Sequence, residues 1–151
     1  MLTTVAVQVA VIGSGAEWVK AAEEIGRLLA ERGCTVVTGG LDEVMAAAHR
    51  GAKAAGGTTI AILPGESRRD ANPWADHVVV TGIGHARNLA VAASGDAVIA
   101  VGGSWGTVSE MALARRLGRP VVALEGAPRV EGVERATTPS EAVERALRHL
   151  E

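Results

Sequence analysis

The sequence contains no phenylalanine and no tyrosine, and its only aromatic side chains are three tryptophans. Proteins that bind single-stranded nucleic acid stack its bases on several aromatic rings, so that kind of surface is not expected. Positive charge is also scarce, because fifteen lysines and arginines stand against seventeen acidic residues, for a net charge of −2. Without a basic surface that displaces counterions from a phosphate backbone, binding to long nucleic acid is not predicted.

Cysteine occurs once, as Cys34, so an internal disulfide is excluded and a reducing, cytoplasmic location is predicted. The four histidines lie in separate segments and show no spacing typical of metal ligands. We therefore expect no metal and no bound cofactor. The first apolar run has no basic residues before it and is shorter than the about 18 residues that cross a bilayer, so it is interpreted as a strand and no membrane contact is expected.

The 151 residues, 48% of them apolar, have the size and composition of a single domain over residues 1–151. Runs rich in β-branched residues alternate with stretches of helical period, which is typical of a parallel sheet covered by helices on both faces. We predict a doubly wound, Rossmann-like α/β fold of six or seven strands. The predicted strands are 5–12, 35–38, 58–63, 77–81, 97–101 and 120–124, and the predicted helices are 18–29, 44–55, 85–93, 108–117 and 139–150.

Three predicted helix starts carry the pattern of a capping box, in which a hydroxyl residue is followed three positions later by glutamate. The pairs are Ser14–Glu17, Thr107–Glu110 and Thr138–Glu141, the last with Pro139 at the first helical position. Gly33 is placed to end the first helix in a left-handed conformation. For Glu110, the local pattern alone favours the capping role over a chemical one.

Glycines cluster directly after four of the predicted strands. In an open parallel sheet, ligands bind beyond the carboxyl ends of the strands, where the strand order reverses. Each cluster alone is equally well explained as a tight turn, but four clusters at one edge favour a binding pocket. The glycines are Gly13, Gly15, Gly39, Gly40, Gly82, Gly84, Gly102, Gly103 and Gly106.

Two common nucleotide sites do not fit these clusters. After Gly13 and Gly15, Trp18 occupies the place of the third glycine of a dinucleotide motif, and no acidic residue for a ribose follows Thr38. The sequence also lacks the G-x-x-x-x-G-K-[ST] run of the P-loop enzymes. Neither NAD nor a nucleoside triphosphate in a P-loop is therefore predicted as the ligand.

The segment 97–110 combines a strand, a glycine turn and a helix start. Free backbone amides and the positive end of the helix dipole suit one phosphate there, with the hydroxyls of Ser104 and Thr107 as further donors. A bulky residue at Gly103 is expected to block these amides and leave the fold intact. The segment also matches the G-x-S-x-G nucleophile elbow of serine hydrolases around Ser104, an alternative that would need Glu125 and His149 to complete a triad.

The longest irregular stretch, residues 64–76, exceeds the usual connection within a compact domain. It carries Arg68, Arg69 and Trp74. A lid or partner contact and a plain solvated loop are equally good interpretations of it.

These residues resemble those of the LOG (Lonely Guy) proteins and the wider SLOG nucleotide-binding superfamily, which are often labelled lysine decarboxylases. Segment 101–110 is similar to the signature P-G-G-x-G-T-x-x-E, segment 84–88 to the arginine-containing helix of the family, and segment 38–45 to a third block. The resemblance extends to about Leu124. Within the superfamily it is strongest to a short bacterial branch with T-G-G-L-x-x-V-M, I-L-P-G, A-N-P and A-R-N blocks, described as molybdenum-cofactor-carrier-like.

LOG enzymes cleave the N-glycosidic bond of cytokinin nucleoside 5′-monophosphates, and the resemblance implies that Arg87 and Glu110 would be the catalytic residues. Glu110 would stabilise an oxocarbenium-like transition state, and Arg87 would neutralise phosphate or orient that carboxylate. The decarboxylase label does not fit, because Lys20 and Lys53 fall in the middle of predicted helices. The predicted phosphate and nucleotide site comprises Gly13, Ser14, Gly39, Gly40, Gly102, Gly103, Ser104, Gly106 and Thr107.

The leading hypothesis is a protein that binds a nucleoside 5′-monophosphate or a related phosphorylated ligand, with hydrolysis of that ligand left open. The alternative is a non-catalytic carrier or sensor of a nucleotide or of the pterin of the molybdenum cofactor. LOG relatives pair through helices beside the site, and the alanine-rich helices 44–55 and 85–93 would permit close contact across a two-fold axis. A homodimer or higher homo-oligomer is therefore expected.

Overall fold

The computed structural model describes residues 5–151. Within them, seven strands form one parallel sheet in the order β4-β3-β2-β1-β5-β6-β7, and five helices cover its two faces. The predicted doubly wound α/β fold is confirmed. The elements are β1 (Gln8–Ser14), α1 (Val19–Glu31), β2 (Thr35–Thr38), α2 (Val44–Ala54), β3 (Thr59–Leu63), β4 (His77–Val80), α3 (Arg87–Ser94), β5 (Ala97–Gly102), α4 (Trp105–Arg116), β6 (Val121–Leu124), β7 (Glu134–Ala136) and α5 (Pro139–Arg148).

The two faces of the sheet are closed by different helices. Helices α1, α2 and α5 pack on one face, and α3 and α4 pack on the other. Along β1, Val9 and Val11 face the first group while Ala10 and Ile12 face the second. Because successive side chains of a strand point to opposite faces, an apolar residue at every position is what a strand buried on both sides requires.

Helices α1 and α2 approach each other very closely. A Cβ atom on Gly26 of α1 would collide with the backbone carbonyl of Ala48, and one on Gly51 of α2 would collide with that of Glu23. Small residues in both helices permit this approach, since any larger side chain would separate them. The small residues of α2 thus serve packing within the chain, and the homo-oligomer stays a prediction.

The predicted N-cap is observed at the last helix, α5, but not at the first helix, α1. At α5, Oγ1 of Thr138 accepts a hydrogen bond of 3.1 Å from the backbone N–H of Glu141, so the predicted cap is confirmed. The Ser14–Glu17 cap is wrong, because Ser14 is the last residue of β1 and a 3-10 turn, Ala16–Trp18, precedes α1. Gly33 has φ +78° just beyond α1, as predicted.

The helices do not cover the sheet completely at its β4 edge, although the sequence predicts helices over both faces. Three of the four residues of β4 are exposed, among them Val79 and Val80.

None of the helices of residues 5–151 has the length and apolar content of a membrane span.

Candidate functional site

The strand order reverses between β1 and β5. From β1 the chain builds the sheet outward to β4 on one side, and from β5 it builds outward to β7 on the other. Ser14 and Gly102 are register partners at the carboxyl ends of these two strands. Because the connections leave in opposite directions, an open crevice remains at this point, where ligands bind in folds of this type.

A cavity of about 170 Å³ opens at this point. We call it the site cavity. It brings together every predicted site residue except Gly40, Gly102 and Gly103, and it adds others that the sequence reasoning did not assign. Its lining consists of Val11, Ile12, Gly13, Ser14, Gly39, Met45, His85, Arg87, Asn88, Ser104, Gly106, Thr107 and Glu110.

The start of α4 decides the role of Glu110. The helix begins at Trp105, three residues before the predicted start, with Ser104 at its N-cap position. The backbone N–H of Ser104 donates to Oγ1 of Thr107 at 3.3 Å, so Thr107 lies inside the first turn and cannot be the cap. The predicted Thr107–Glu110 capping box is therefore wrong. Glu110 lies in the second turn and lines the site cavity instead.

The Glu110 carboxyl group is poised to exchange a proton near neutral pH. The residue is only 8% exposed, and within residues 5–151 its side chain has no hydrogen-bond partner. Burial raises the pKa of Glu110 to about 7, although the positive charge of Arg87 lowers it. Such a carboxyl can act as an acid or as a base without a large energetic cost.

Arg87, at the start of α3, is also buried and incompletely paired. Its Nη1 donates to Oδ1 of Asn88 at 2.9 Å, while its Nε has no partner among the described residues. The guanidinium lies against Gly39, where a Cβ atom would come within 2.5 Å of Nη1. Burial lowers the pKa of Arg87, and the charge of Glu110 opposes that effect. None of the ion pairs found within residues 5–151 joins Arg87 to Glu110.

The glycines that follow β5 differ in their relation to the cavity. Gly103 has φ +111°, and a Cβ atom there would collide with the side chain of Thr107. The expectation that a bulky residue at Gly103 leaves the fold intact is therefore wrong, because the substitution would distort the turn itself. Gly106 is different, since it lines the cavity and has open space where a Cβ would stand.

A second buried polar cluster, Thr38, His49 and Asn72, supports the far wall of the cavity; we call it the His49 network. Oγ1 of Thr38 accepts from the backbone N–H of Gly40 at 2.9 Å and lies 3.1 Å from Nε2 of His49. Nδ2 of Asn72 lies 3.2 Å from Nδ1 of His49 and donates to the carbonyl of Gly40 at 3.3 Å. The network fixes the Gly39–Gly40 turn on which Arg87 rests.

The hydrogen bonds also fix the tautomer of His49. Oδ1 of Asn72 accepts from the backbone N–H of Trp74 at 3.0 Å, which orients the amide so that Nδ2 faces His49. With the amide in this orientation Nδ1 of His49 accepts, and the proton is assigned to Nε2, which donates to Thr38. Burial lowers the pKa of His49 to about 4, despite the hydrogen bond from Asn72. His49 is therefore a neutral, structural residue at ordinary pH.

Residues 64–76, for which a lid or partner contact and a plain solvated loop are both predicted, make several contacts within the chain. Asn72 joins the His49 network, Trp74 lies 5.1 Å from the guanidinium carbon of Arg50, and Asp76 pairs with Lys53 at 2.8 Å. No residue of this stretch lines the site cavity. Its A-N-P block, noted above as a motif, was the available signal for the role of Asn72.

The serine hydrolase alternative fails on geometry. Nε2 of His149 lies 3.6 Å from Oε1 of Glu134, which is the first residue of β7 and therefore lies at the amino end of the strands. Ser104 follows β5 at the carboxyl end, which is the opposite edge of the parallel sheet. The three proposed triad residues are thus not brought together. Across residues 5–151, no group of three or more His, Cys, Asp and Glu side chains could hold a metal ion.

Comparison with known proteins matches this architecture. The sequence model of the SLOG cluster4 family matches residues 6–149. A protein of Archaeoglobus fulgidus, described as uncharacterized, is 43% identical over 140 residues that cover 90% of this chain and 91% of that protein.

Two solved structures are similar over nearly their whole length. The molybdenum cofactor binding protein of the phototrophic bacterium Rippkaea orientalis has a TM-score of 0.91 and 32% identity, covering 99% of this chain and 100% of that one. The molybdenum cofactor carrier protein MCP of Chlamydomonas reinhardtii has a TM-score of 0.87 and 33% identity, covering 96% of this chain and 98% of that one.

Proposed function

We propose that this chain, which belongs to the SLOG cluster4 family, is a carrier that holds a small phosphorylated ligand in the site cavity. The family match confirms the predicted membership of the SLOG superfamily. One observation carries the proposal: a buried Arg87 guanidinium with an unpaired Nε lines the same cavity as the first turn of α4. Burying a cation that makes no close ion pair is costly. A phosphate bound between the guanidinium and the helix amides would offset the unfavourable free energy of burying this charge.

The proposed cargo is a phosphorylated heterocycle of the nucleotide or pterin class. The two solved relatives are named for the molybdenum cofactor, which is a phosphorylated pterin. At about 170 Å³ the site cavity is smaller than the pockets that enclose whole ligands of this size. It therefore takes the phosphate end, and the ring system extends beyond the rim.

A second candidate function is hydrolysis of the N-glycosidic bond of a nucleoside 5′-monophosphate. It is favoured by Glu110, whose burial raises its pKa to about 7 beside the positive charge of Arg87. A carboxyl in that range can protonate a leaving base or activate water. The carrier remains our first proposal, because the cavity explains binding without any reaction.

Binding and turnover are separated by two measurements on the same protein. Calorimetry with AMP and with 6-hydroxymethylpterin phosphate measures binding, and chromatography after incubation with AMP detects free adenine. Binding without release of base supports the carrier. Release of adenine that is lost in Glu110→Gln supports the hydrolase and overturns the carrier.

The place of the phosphate is tested at Gly106. We expect Gly106→Leu to abolish binding, because the new side chain fills the cavity over the α4 amides without backbone strain. Ala112→Leu is the matched control, since Ala112 is exposed on the same helix and outside the cavity. Equal affinity in the two variants would contradict a phosphate at this helix start.

The proposed carrier is further predicted to act in the cytoplasm, as a single domain, and as a homo-oligomer. Light scattering at micromolar concentration tests the last of these. A monomer mass would contradict it.

A further inference from the structure

Trp105 is largely exposed to solvent, although its indole ring is large and mostly apolar. This first residue of α4 has 86% of its surface in contact with solvent. The other two tryptophans are partly buried, Trp18 beside Gly102 and Gly126 and Trp74 beside Arg50. A solvent-exposed tryptophan ring does not contribute to stability by burial of its apolar surface. The exposure of Trp105 is therefore not explained by packing in the core.

An apolar hollow of about 230 Å³ lies beside this ring, lined by Trp105, Val108, Pro128 and Ser104. Ser104 also lines the site cavity. The two hollows therefore share the N-cap residue of α4. Because side chains of a helix lean toward its N-terminus, we expect the ring of Trp105 to lie toward the end where the phosphate is proposed to bind.

We infer that Trp105, with Val108 and Pro128, forms a shelf on which the flat heterocycle of the ligand stacks while its phosphate occupies the site cavity. This inference rests on the proposed function and adds to it the place of the ring system. At about 170 Å³ the site cavity is smaller than pockets that enclose whole ligands of this size, and the shelf is an apolar surface that shares Ser104 with it. Stacking needs only a π-face, so the shelf accepts a purine or a pterin alike.

The test compares ligands with and without the heterocycle. AMP and ribose 5-phosphate share the phosphate and the sugar, and only AMP has a base to stack. We expect Trp105→Ala to weaken AMP binding roughly five- to hundredfold in calorimetry, the range of one aromatic stacking contact. Binding of ribose 5-phosphate should stay unchanged, and Trp105→Phe should keep most of the AMP affinity.

Tryptophan fluorescence gives a second measurement. AMP and 6-hydroxymethylpterin phosphate should quench the fluorescence of the wild type, and this quenching should disappear in Trp105→Phe, which still binds. Leu117→Ala, an exposed apolar residue just beyond the other end of α4, is the control and should change nothing.

The outcomes separate the shelf from the site. If the wild type binds AMP and Trp105→Ala binds it equally well, the shelf is wrong and the proposed function stands. If Trp105→Ala weakens both ligands equally and lowers the mass in light scattering, Trp105 is a contact between copies of the chain and the shelf is again wrong. If the wild type binds none of the three ligands, the proposed function fails and the shelf fails with it.

Discussion

Two buried polar clusters meet at the Gly39–Gly40 turn, and they differ in how well they are paired. In the His49 network, each ring nitrogen of His49 has a partner, and Asn72 holds both the ring and the turn. In the Arg87–Glu110 pair, the guanidinium keeps an unpaired Nε and the carboxyl has no hydrogen-bond partner among residues 5–151. The three residues of the His49 network are 0–7% exposed, whereas Arg87 and Glu110 are each 8% exposed and line the site cavity. The less completely paired groups are therefore the ones at the cavity surface.

The difference separates structural from functional polarity. A buried polar network stabilises a fold when every member is paired, because each unpaired member adds the unfavourable free energy of its desolvation. A buried polar group that is left without a partner lowers stability, and such groups are frequent where a protein binds a ligand. The His49 network thus stabilises the turn beside the cavity, whereas Arg87 and Glu110 are the groups that we propose to contact a ligand.

The largest expected effect comes from breaking the His49 network. Asn72→Ala removes the donor to His49 and to the Gly40 carbonyl, which leaves buried groups unpaired. We expect the free energy of unfolding in urea to fall by about 3 kcal/mol. Asn88→Ala is the matched control at the other cluster and should cost far less. Equal losses in the two variants would remove the distinction between the clusters.

The pH dependence of stability distinguishes the clusters by sign. The pKa of Glu110 is raised from 4.5 to about 7, so its stabilising contribution is complete below pH 4.5 and is lost as the pH rises through 7. The pKa of His49 is lowered from 6.5 to about 4, so the unfolded chain takes up a proton first and stability is lost as the pH falls from 6.5 to 4. The two effects oppose each other between pH 4.5 and 6.5.

Glu110→Gln removes one of these opposing effects. Relative to the variant, the wild type should gain stability as the pH is lowered from 7 to 4.5, by on the order of 3 kcal/mol. Urea unfolding of both proteins across this range measures the difference. Parallel profiles would mean that Glu110 titrates normally and is not buried as described.

The smallest expected change in stability is that of Arg87→Met. Methionine keeps the apolar stem and removes a buried cation that lacks an ion pair, so the free energy of unfolding should stay within about 1 kcal/mol of the wild type or rise. The affinity for AMP should fall sharply in calorimetry. A loss of stability comparable to that of Asn72→Ala would mean that Arg87 belongs to the structural cluster.

Much of the fold could be predicted from the sequence, because helical period and β-branched runs are local signals. The positions of most strands and of α5 follow directly from them. The start of α4 could not be predicted this way, since Thr107 and Glu110 have the spacing of a cap and Ser104 and Thr107 offer another. Local spacing alone does not decide between two overlapping caps.

The candidate site was predictable in part. Glycine turns at the strand ends and the resemblance to the SLOG superfamily predicted Arg87, Glu110 and the start of α4, and these residues line the cavity. His49 was passed over as one histidine among four, because its partners Thr38 and Asn72 are 11 and 23 residues away along the chain. The pairing of a buried side chain depends on contacts that no local pattern contains.

The sequence by itself determined the alternation of strands and helices, the glycine turns and the scarcity of aromatic and basic residues. Tertiary structure alone decided which buried polar groups are paired and that Trp105 stands exposed beside an apolar hollow. The reason is that secondary structure follows from the conformational preferences and hydrophobic period of neighbouring residues. Burial and hydrogen bonding depend instead on which distant segments the sheet brings to one edge.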